Sequence, residues 1–264
     1  MHHAARHKSA VVARFSDTDS ALKWRDMYDL DTRRLDAVNF RRRRDFAVEQ
    51  VLRLLPPGGV VLDVGCGSAP VLAELRRHGV HCIGLEYAPD MLKHAVERLE
   101  SAGVDATGLY RGDCVRLPFV DGAFDIVVCL GVISYVEHIP DVLAEIRRVL
   151  KPGGRTLISY RNRFNPILWD PAGLVKLAVG RLPPAPRKIG RAIDHREFQA
   201  EMQSAGFELE GHTGIGFGPI RMRGRPILPE AASIRLSDLL GRLAEPWAAP
   251  SRWLADISVW TYRR

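Results

Sequence analysis

The stretch VVLDVGCGSAPVLAEL, from Val60 to Leu75, decides how this chain folds. Its first five residues form an apolar, β-branched run that is typical of a buried strand. Gly65 and Gly67 follow, and glycine permits a tight turn and a close approach of the backbone to a ligand. Helix-forming residues come next. The stretch therefore predicts a strand, a turn and a helix. The turn lies at the edge of a sheet where such folds bind ligands. The alternative is that it is a plain strand-to-helix turn without a ligand.

The same alternation of strands and helices continues along the chain. A helical region is predicted over 20–55, and the segments PPGG at 56–59 and KPGG at 151–154 end the helices before them. The predicted strands are 60–64, 81–86, 106–113, 123–131, 155–160, 207–217 and the C-terminal SVWTYRR. The predicted helices are 69–78, 89–101, 140–150, 194–205 and 237–243. This order predicts an α/β fold, with a Rossmann-like, doubly wound, seven-stranded and mostly parallel sheet that has helices on both faces.

The chain divides into a short N-terminal region and one larger domain. Residues 1–55 are predicted to form an arm with cap helices, and residues 56–264 the main domain. Within that domain, 162–193 and 219–250 are rich in proline and interrupt the alternation, so we expect them to be lid-like insertions. Asp194 is predicted to cap the helix after the first insertion, since an acid follows it three residues later.

Composition excludes several classes of protein. The chain has 264 residues, a formal net charge of +7, 46% hydrophobic and 26% charged residues, as is common in soluble globular proteins. No apolar run is long enough for a transmembrane helix, and the start lacks the pattern of a secretory leader, so we expect a cytoplasmic protein. The four cysteines have no zinc-binding spacing, which predicts reduced thiols and no metal site. The positive charge permits nucleic acid, membrane surfaces or anionic substrates as partners without selecting one.

Two acids at the ends of predicted strands narrow the choice of ligand. Glu86 ends the second strand, 19 residues after Gly67, where a carboxylate can accept both ribose hydroxyls of a nucleoside. Asp113 ends the third strand, where it can accept from an exocyclic amine of adenine. The alternatives are a helix-entry acid at Glu86 and an Asx turn at Asp113. Taken with the glycine loop, the two acids predict an adenosine site.

Four motifs together resemble a known family. VLDVGCG, the acid of GLEYAPDML, GDCVRLPF and the run FDIVVCLGVISYVEH…RRVLKPGG look like the successive motifs of class I S-adenosylmethionine-dependent methyltransferases. The nearest likeness is to the group that includes the ubiquinone and menaquinone biosynthesis type. It covers roughly residues 45–160. The resemblance implies S-adenosyl-L-methionine as cofactor and S-adenosyl-L-homocysteine as product, and it says almost nothing about the acceptor.

The resemblance also implies which residues contact the cofactor. They are Asp63, Gly65, Cys66, Gly67, Glu86, Tyr87, Met91, Asp113, Cys114, Leu130 and Gly131. Asp63 and the two loop glycines lie under the methionine and ribose parts, Glu86 holds the ribose hydroxyls, and Tyr87 packs against the adenine.

The remaining contacts concern the two ends of the cofactor. Asp113 takes the adenine amine, with the backbone N–H of Cys114 beside it. The Leu130 carbonyl and Gly131 face the methionine ammonium. In this fold an N-terminal helix often covers the cofactor, so Tyr28 or an arginine of 41–44 is expected at its carboxylate. The alternative for that basic run is a solvated helix face.

Ala69 stands where the three-glycine form of the loop has its last glycine. A pyrophosphate needs an uncrowded helix N-terminus, whereas S-adenosylmethionine carries no phosphate. Together with the GDC motif and the lack of a Tyr-x-x-x-Lys pair, Ala69 disfavours the first alternative function, an NAD(P)-dependent oxidoreductase. The second alternative is a non-catalytic, cofactor-binding or scaffold protein on the same fold.

The expected reaction transfers a methyl group to an oxygen, nitrogen or carbon atom of a small molecule. The protein mainly orients the acceptor against the electrophilic methyl group. A hydroxyl acceptor needs a base, and the candidates are Tyr135, Glu137 and His138. His138 is the first choice among the three, and its alternative role is that of a helix-entry residue. An amine or carbon acceptor needs none.

Acceptor choice is expected to depend on the insertions 162–193 and 219–250. The first insertion mixes apolar and basic residues, which fits a hydrophobic or anionic acceptor and peripheral contact with a membrane, or else an ordinary lid. No nucleic acid is expected as partner, since no RNA-binding module or DNA amino-methyltransferase motif is present. The oligomeric state is left open.

Overall fold

The computed structural model describes residues 9–15, 22, 24–28, 33–163, 171, 175, 179, 190–222, 225–244 and 254–264. The strands are β1 Val60–Val64, β2 His81–Glu86, β3 Leu109–Arg111, β4 Phe124–Leu130, β5 Leu150–Arg161, β6 Glu208–Phe217, β7 Arg221–Met222, β8 Arg225–Pro226 and β9 Ala255–Arg263. The helices are α1 Leu35–Leu54, α2 Pro70–Arg77, α3 Pro89–Ser101, α4 Ile139–Val149, α5 His195–Ser204 and α6 Glu230–Ala244, with a 3₁₀ turn at Ile133–Tyr135. Residues 9–15 are also helical.

Seven of these strands form one sheet in the order β3-β2-β1-β4-β5-β9-β6. The first five are parallel, and β9 and β6 add to β5 in antiparallel orientation. From β1 the chain adds β2 and then β3 on one side of the sheet, and it then crosses back to add β4 on the other side of β1. The order of strand addition therefore reverses between β1 and β4. Ligands bind at the carboxyl ends of strands beside such a reversal. This confirms the predicted fold class and places the loops after Val64 and Leu130 at the binding edge.

The central strand β4 is buried because helices cover both faces of the sheet. Val127 and Cys129 enter a core with the apolar face of α4, while Ile126 and Val128 enter a second core with α1 and α2. All four side chains are almost fully buried. Large apolar side chains in such positions each stabilise the fold by about 1.5–3 kcal/mol. The two cores hold the strand ends, and hence the binding edge, in fixed positions.

Several predicted elements agree closely with the structure. The strands at 60–64 and 81–86 and the helix at 89–101 have the predicted bounds. Asp194 caps α5, as predicted, by accepting a hydrogen bond from the Arg196 N–H at 2.9 Å. Most of 162–193 lies outside the described residues, so its interpretation as an insertion stays a prediction.

The predicted helix over 20–55 is wrong in its first half. Residues 24–26 are helical, but Met27 and Tyr28 lie in a turn, and α1 begins only at Leu35. Arg34, just before it, is extended, with φ −94° and ψ 144°. This interruption lets the residues before α1 fold back over the carboxyl edge of the sheet, where several of them line a cleft.

Two other boundaries differ for identifiable reasons. The third strand is shorter than predicted, because Gly108 just before it has a positive φ of 69° and Asp113 just after it forms a turn with Val115 and Arg116. The KPGG segment at 151–154 was expected to lie outside any strand. Instead β5 already begins at Leu150, which pairs with Phe124 before the register shifts.

Helix α6 is longer than the predicted helix at 237–243 and packs on α1 and β6. The Glu230 carboxylate accepts the Leu35 N–H at 2.9 Å, and Asp238 forms an ion pair with Arg42. These contacts fix the start of α1 beside the sheet. Among the helices in the described ranges, none combines the length and the apolar character that a bilayer span requires.

Candidate active site

A cleft of about 500 Å³ opens at the carboxyl edge of β1, β2 and β4. Its volume suits a small-molecule ligand. The predicted site residues that line it are Tyr28, Gly65, Cys66, Gly67, Glu86, Tyr87, Met91, Asp113, Cys114, Leu130, Gly131, Tyr135, Glu137 and His138. The topology thus brings together residues from five separate loops, which sequence spacing alone could only place near a common edge.

The loop after β1 keeps a glycine-type backbone at three positions. Gly65, Gly67 and Ala69 all have positive φ, at 70°, 57° and 56°. A Cβ at Gly65 would lie 2.3 Å from a methyl carbon of Val132, so the loops after β1 and β4 touch here. Ala69 accepts a conformation that costs an L-residue about 1–2 kcal/mol. The three-glycine geometry is therefore preserved with alanine at its last position.

Glu86 ends β2, and three backbone N–H groups hold its carboxylate. Oε2 accepts from Gly67 at 2.9 Å, and Oε1 accepts from Tyr87 and Ala88 at 2.8 Å each. Burial raises the pKa of Glu86, and the three hydrogen bonds oppose that rise because they stabilise the charged form. A carboxylate offers about four acceptor positions, so capacity remains for a ligand hydroxyl.

Asp63 is the one predicted cofactor residue that does not line the cleft. It is buried beneath the glycine loop, with 3% of its surface exposed. Burial, and secondarily the nearby charge of Glu86, raise the pKa of Asp63 to about 7, while Arg43 lowers it. Asp63 therefore lies outside the cleft, beneath the loop, as a buried carboxyl that holds its proton more strongly than usual.

Asp113 forms the turn that was one of the two roles its sequence position allowed. Its Oδ1 accepts the Val115 N–H at 3.1 Å, and its carbonyl accepts the Arg116 N–H at 3.0 Å. This is the Asx-type turn of the alternative interpretation. Asp113 also lines the cleft beside Cys114, and its contact with adenine stays a prediction.

Arg43 is the one member of the predicted run 41–44 that lines the cleft, a choice that the sequence alone left open. It belongs to the RRRR block, yet only 6% of its surface is exposed and it lines the cleft. Its Nη2 donates to the Tyr28 hydroxyl at 2.7 Å, and its guanidinium lies 4.4 Å from the ring centre of Phe40. Its Nε has no hydrogen-bond partner in the described part of the protein.

Within that same part, no carboxylate comes within ion-pair distance of Arg43. A buried guanidinium is costly unless an anion is supplied. Its Nη1 would stand 2.8 Å from a Cβ at Gly131, at the end of β4. The cleft therefore holds a cation directed at the loop where the resemblance places the methionine part of the cofactor.

Aromatic side chains from the N-terminal region form one wall of the cleft. Phe15 packs on Tyr135 with ring centres 5.1 Å apart and on Trp24 at 5.6 Å. Phe40 then joins Trp24 at 5.5 Å and Tyr28 at 6.1 Å. The wall runs from the predicted base candidates to Arg43. It provides an apolar surface that fits a planar ligand.

The base candidates lie at the far end of this wall. His138 is the residue just before α4, and its Nδ1 lies 2.9 Å from Oδ1 of Asp141. Asp141 also lines the cleft, although sequence reasoning did not single it out. The sequence signal that could have identified Asp141 is its position three residues after His138, because side chains at that spacing are neighbours on a helix.

The glycine loop offers little to a pyrophosphate. The Gly67 N–H is already engaged by Glu86, and Pro70, at the first turn of α2, has no N–H. Asp63 adds a second acid below the loop. A phosphate would meet negative charge here instead of free donors, which argues against a dinucleotide.

Two further predictions concern metals and thiols. Cys66, Cys82 and Cys129 are buried free thiols, and Cys114, also free, is partly buried. Burial raises the pKa of Cys66 and Cys129, so both stay protonated. Across the described ranges, no group of three or more histidine, cysteine and acidic side chains could hold a metal ion.

Comparisons with known proteins agree with this geometry. The family model described as a methyltransferase domain matches residues 62–158. A ubiquinone biosynthesis O-methyltransferase of Xanthomonas campestris pv. campestris (strain B100) is 30% identical over 228 residues, covering 82% of this chain and 85% of the relative. One from Xanthomonas axonopodis pv. citri (strain 306) is 33% identical over 184 residues, covering 66% and 72%.

Solved structures show the same fold. The magnesium protoporphyrin IX methyltransferase of Synechocystis PCC 6803 with bound S-adenosylhomocysteine aligns with a TM-score of 0.65 and 15% identity, over 97% of this chain and 99% of that one. A methyltransferase of Mesorhizobium loti aligns with a TM-score of 0.53 and 21% identity, over 84% and 100%.

The chain therefore belongs to the class I S-adenosylmethionine-dependent methyltransferases. It is a methyltransferase that uses S-adenosyl-L-methionine to methylate a small molecule, as the sequence motifs predicted. The oxidoreductase alternative is wrong, and a catalytic role is favoured over a purely binding one.

Proposed function

We propose that this protein methylates a hydroxyl oxygen of a small aromatic acceptor. The observation that carries the proposal is the His138–Asp141 pair, 2.9 Å apart, at the end of an aromatic wall in the cofactor cleft. A hydroxyl needs a base to become a good nucleophile, whereas a thiolate or amine does not. The names of the curated relatives, which are O-methyltransferases, support the same choice of atom.

The residues present fit the cofactor. Glu86 would hold the ribose hydroxyls, Asp113 the adenine amine, and Arg43 the carboxylate of the methionine part. Arg43 supports this assignment because it is buried beside Gly131 with no ion-pair partner in the described part of the chain. The bound sulfonium supplies an electrophilic methyl group. The protein contributes the position of the acceptor and the removal of its proton.

His138 is proposed as the base. If Asp141 accepts a hydrogen bond from Nδ1–H, the neutral imidazole presents Nε2 as a proton acceptor. Asp141 also fixes the orientation of the imidazole ring through this contact. His138 thus takes the hydroxyl proton, and Asp141 acts through it as a positioning residue.

The acceptor side of the cleft favours a planar apolar molecule. Phe15 and Tyr135 form its aromatic wall, and Val132, Val136 and Ile257 add aliphatic surface. An ion pair between Arg161 and Asp256, at 3.5 Å, marks the rim. This lining supports a hydroxylated aromatic ring as the acceptor.

The test is methyl transfer from labelled cofactor to a panel of phenols, catechols, amines and carboxylic acids. We expect turnover with phenolic hydroxyls. His138→Gln should lower kcat by about 100-fold or more, in the usual range for loss of a general base, with unchanged cofactor affinity. Phenols that are already ionised at the assay pH should be affected less.

A matched control is His94→Gln. His94 makes a similar contact, with Glu97 at 3.0 Å three residues later, but it does not line the cleft. This control should retain full activity. Turnover with amines alone, or equal activity of the two variants on a phenol, would contradict the proposal.

A further inference from the structure

Exposed apolar side chains are concentrated in the C-terminal part of the chain. Among the described residues, large apolar side chains with more than half of their surface exposed lie, apart from Val120, within 171–179 and 221–244. They are Val175, Val179, Met222, Leu239 and Leu243. Single exposed apolar residues are normal, but such a concentration marks a surface that contacts another phase or molecule.

The outer face of α6 is both apolar and basic. Arg235, Leu239 and Leu243 follow at intervals of four residues, so they share one face of the helix. Arg242 is exposed as well, next to Leu243 in the chain. We call these four residues the α6 face.

The acidic groups of this segment have their partners on α1. Between residues 225 and 244 the only acids are Glu230 and Asp238. Glu230 accepts the Leu35 N–H, and Asp238, although it lies one helical turn from Arg235 and Arg242, pairs with Arg42. Among the described residues, the arginines of the α6 face therefore have no ion-pair partner.

The first residue of α6 is joined to the region of the cleft. Glu230 at the start of α6 contacts Leu35 at the start of α1, and the next residue, Asp36, lines the cleft.

We propose that the α6 face docks on an anionic lipid bilayer. Amphipathic helices with arginines beside leucines lie in the bilayer interface, where the side chains bury apolar area and the guanidinium groups contact anionic headgroups. A second copy of this chain fits less well, because a two-fold contact would bring like charges together without acids to offset them. The proposal assigns membrane contact to a different segment from the 162–193 expected from the sequence. In that segment, Pro171, Val175 and Val179 are the described exposed residues.

The test is co-sedimentation of the full-length protein with vesicles of phosphatidylcholine alone and of phosphatidylcholine with phosphatidylglycerol. We expect binding mainly to the anionic vesicles, weakened by added salt. Leu239→Asn with Leu243→Asn, and separately Arg235→Gln with Arg242→Gln, should each reduce the bound fraction by tenfold or more.

Controls separate this surface from general effects. Val120→Asn removes the most exposed apolar side chain elsewhere, and Arg53→Gln removes an exposed arginine of α1. Both should bind vesicles like the parent protein, and all variants should bind the cofactor unchanged. Equal binding by the α6 variants and the controls would overturn the proposal. So would a dimer without vesicles that the leucine substitutions convert to monomer, since the face would then join two copies.

Discussion

The guanidinium of Arg43 lies against Gly131, so that a Cβ on that glycine would stand 2.8 Å from Nη1. The contact joins helix α1, before the sheet, to the end of β4 at its carboxyl edge. Arg43 is also fixed from the other side by the Tyr28 hydroxyl at 2.7 Å. The N-terminal region thus supplies a charged group as well as an aromatic wall to a cleft whose other side is built by the sheet loops.

Gly131→Ala should weaken cofactor binding by displacing Arg43. The substitution adds a Cβ at a residue with φ of 82°, so it also strains the backbone. Gly79→Ala is the matched control, because φ is 72° there and no atom lies within 4 Å of the added Cβ. Both variants should lose similar stability, about 1–2 kcal/mol. Calorimetry should show at least a tenfold loss of affinity for S-adenosylmethionine in Gly131→Ala alone.

Arg43→Gln should lower affinity for S-adenosylmethionine through the carboxylate of its methionine part. A hydrogen bond to a charged group contributes about 1.5–3 kcal/mol, which is roughly a tenfold to hundredfold change in Kd. Methylthioadenosine has no carboxylate, so its affinity should change little. Arg44→Gln, whose arginine pairs with Asp45 and does not line the cleft, should bind both ligands normally. Equal losses for both ligands would show that Arg43 acts only on the fold.

Asp63 should make stability depend on pH. Its pKa is about 7 in the folded protein against 3.8 in the unfolded reference, so the folded state holds the proton more strongly. This contribution is fully present below about pH 4 and is lost as the pH rises toward 7. The shift of about three units corresponds to at most about 4 kcal/mol.

The free energy of unfolding should fall less steeply between about pH 4 and pH 7 in Asp63→Asn than in the parent protein. Denaturant titration at several pH values measures this free energy. Glu86 has a raised pKa and contributes a slope of the same sign, but it is present in both proteins. Parallel pH profiles for the two proteins would mean that Asp63 is ionised in the fold at neutral pH.

Ala69→Gly should change stability little, although Ala69 is fully buried. The substitution relieves a left-handed strain of about 1–2 kcal/mol, while glycine costs about 0.5–1 kcal/mol of chain entropy. Ala73→Gly, a buried position inside α2 without positive φ, should be destabilised by about 1 kcal/mol. Thermal unfolding of the two variants compares them directly. A larger loss at Ala69 than at Ala73 would show that its methyl group fills space the loop needs.

The sequence predicted the sheet edge well and the N-terminal region poorly. Strand ends at Val64, Glu86 and Leu130 follow from short apolar runs bounded by glycine or acid, which local patterns record. Arg43 was hidden in a run of four arginines. Its signal was helical spacing, since Asn39, Arg43 and Ala47 follow at intervals of four and all are buried in α1.

The turn before α1 could not be read from local pattern. Trp24 and Tyr28 fit an apolar helical stripe, but they pack instead on Phe40 across the interruption before Leu35. Such a contact depends on tertiary packing, which overrides helix propensity. Acceptor specificity cannot be predicted from local sequence patterns either, because it depends on which side chains meet in the cleft.

The affinity of the parent protein and of Glu86→Gln for S-adenosylmethionine, measured by calorimetry, is the decisive test of the adenosine site. We expect saturable binding to the parent and at least tenfold weaker binding to the variant, because Glu86 is the proposed partner of the ribose hydroxyls. Glu97→Gln, which changes an exposed glutamate of α3, should bind like the parent. Thermal unfolding without cofactor checks that both variants fold. No saturable binding by the parent would rule out the cofactor site, and unchanged binding by folded Glu86→Gln would rule out Glu86 as the ribose partner.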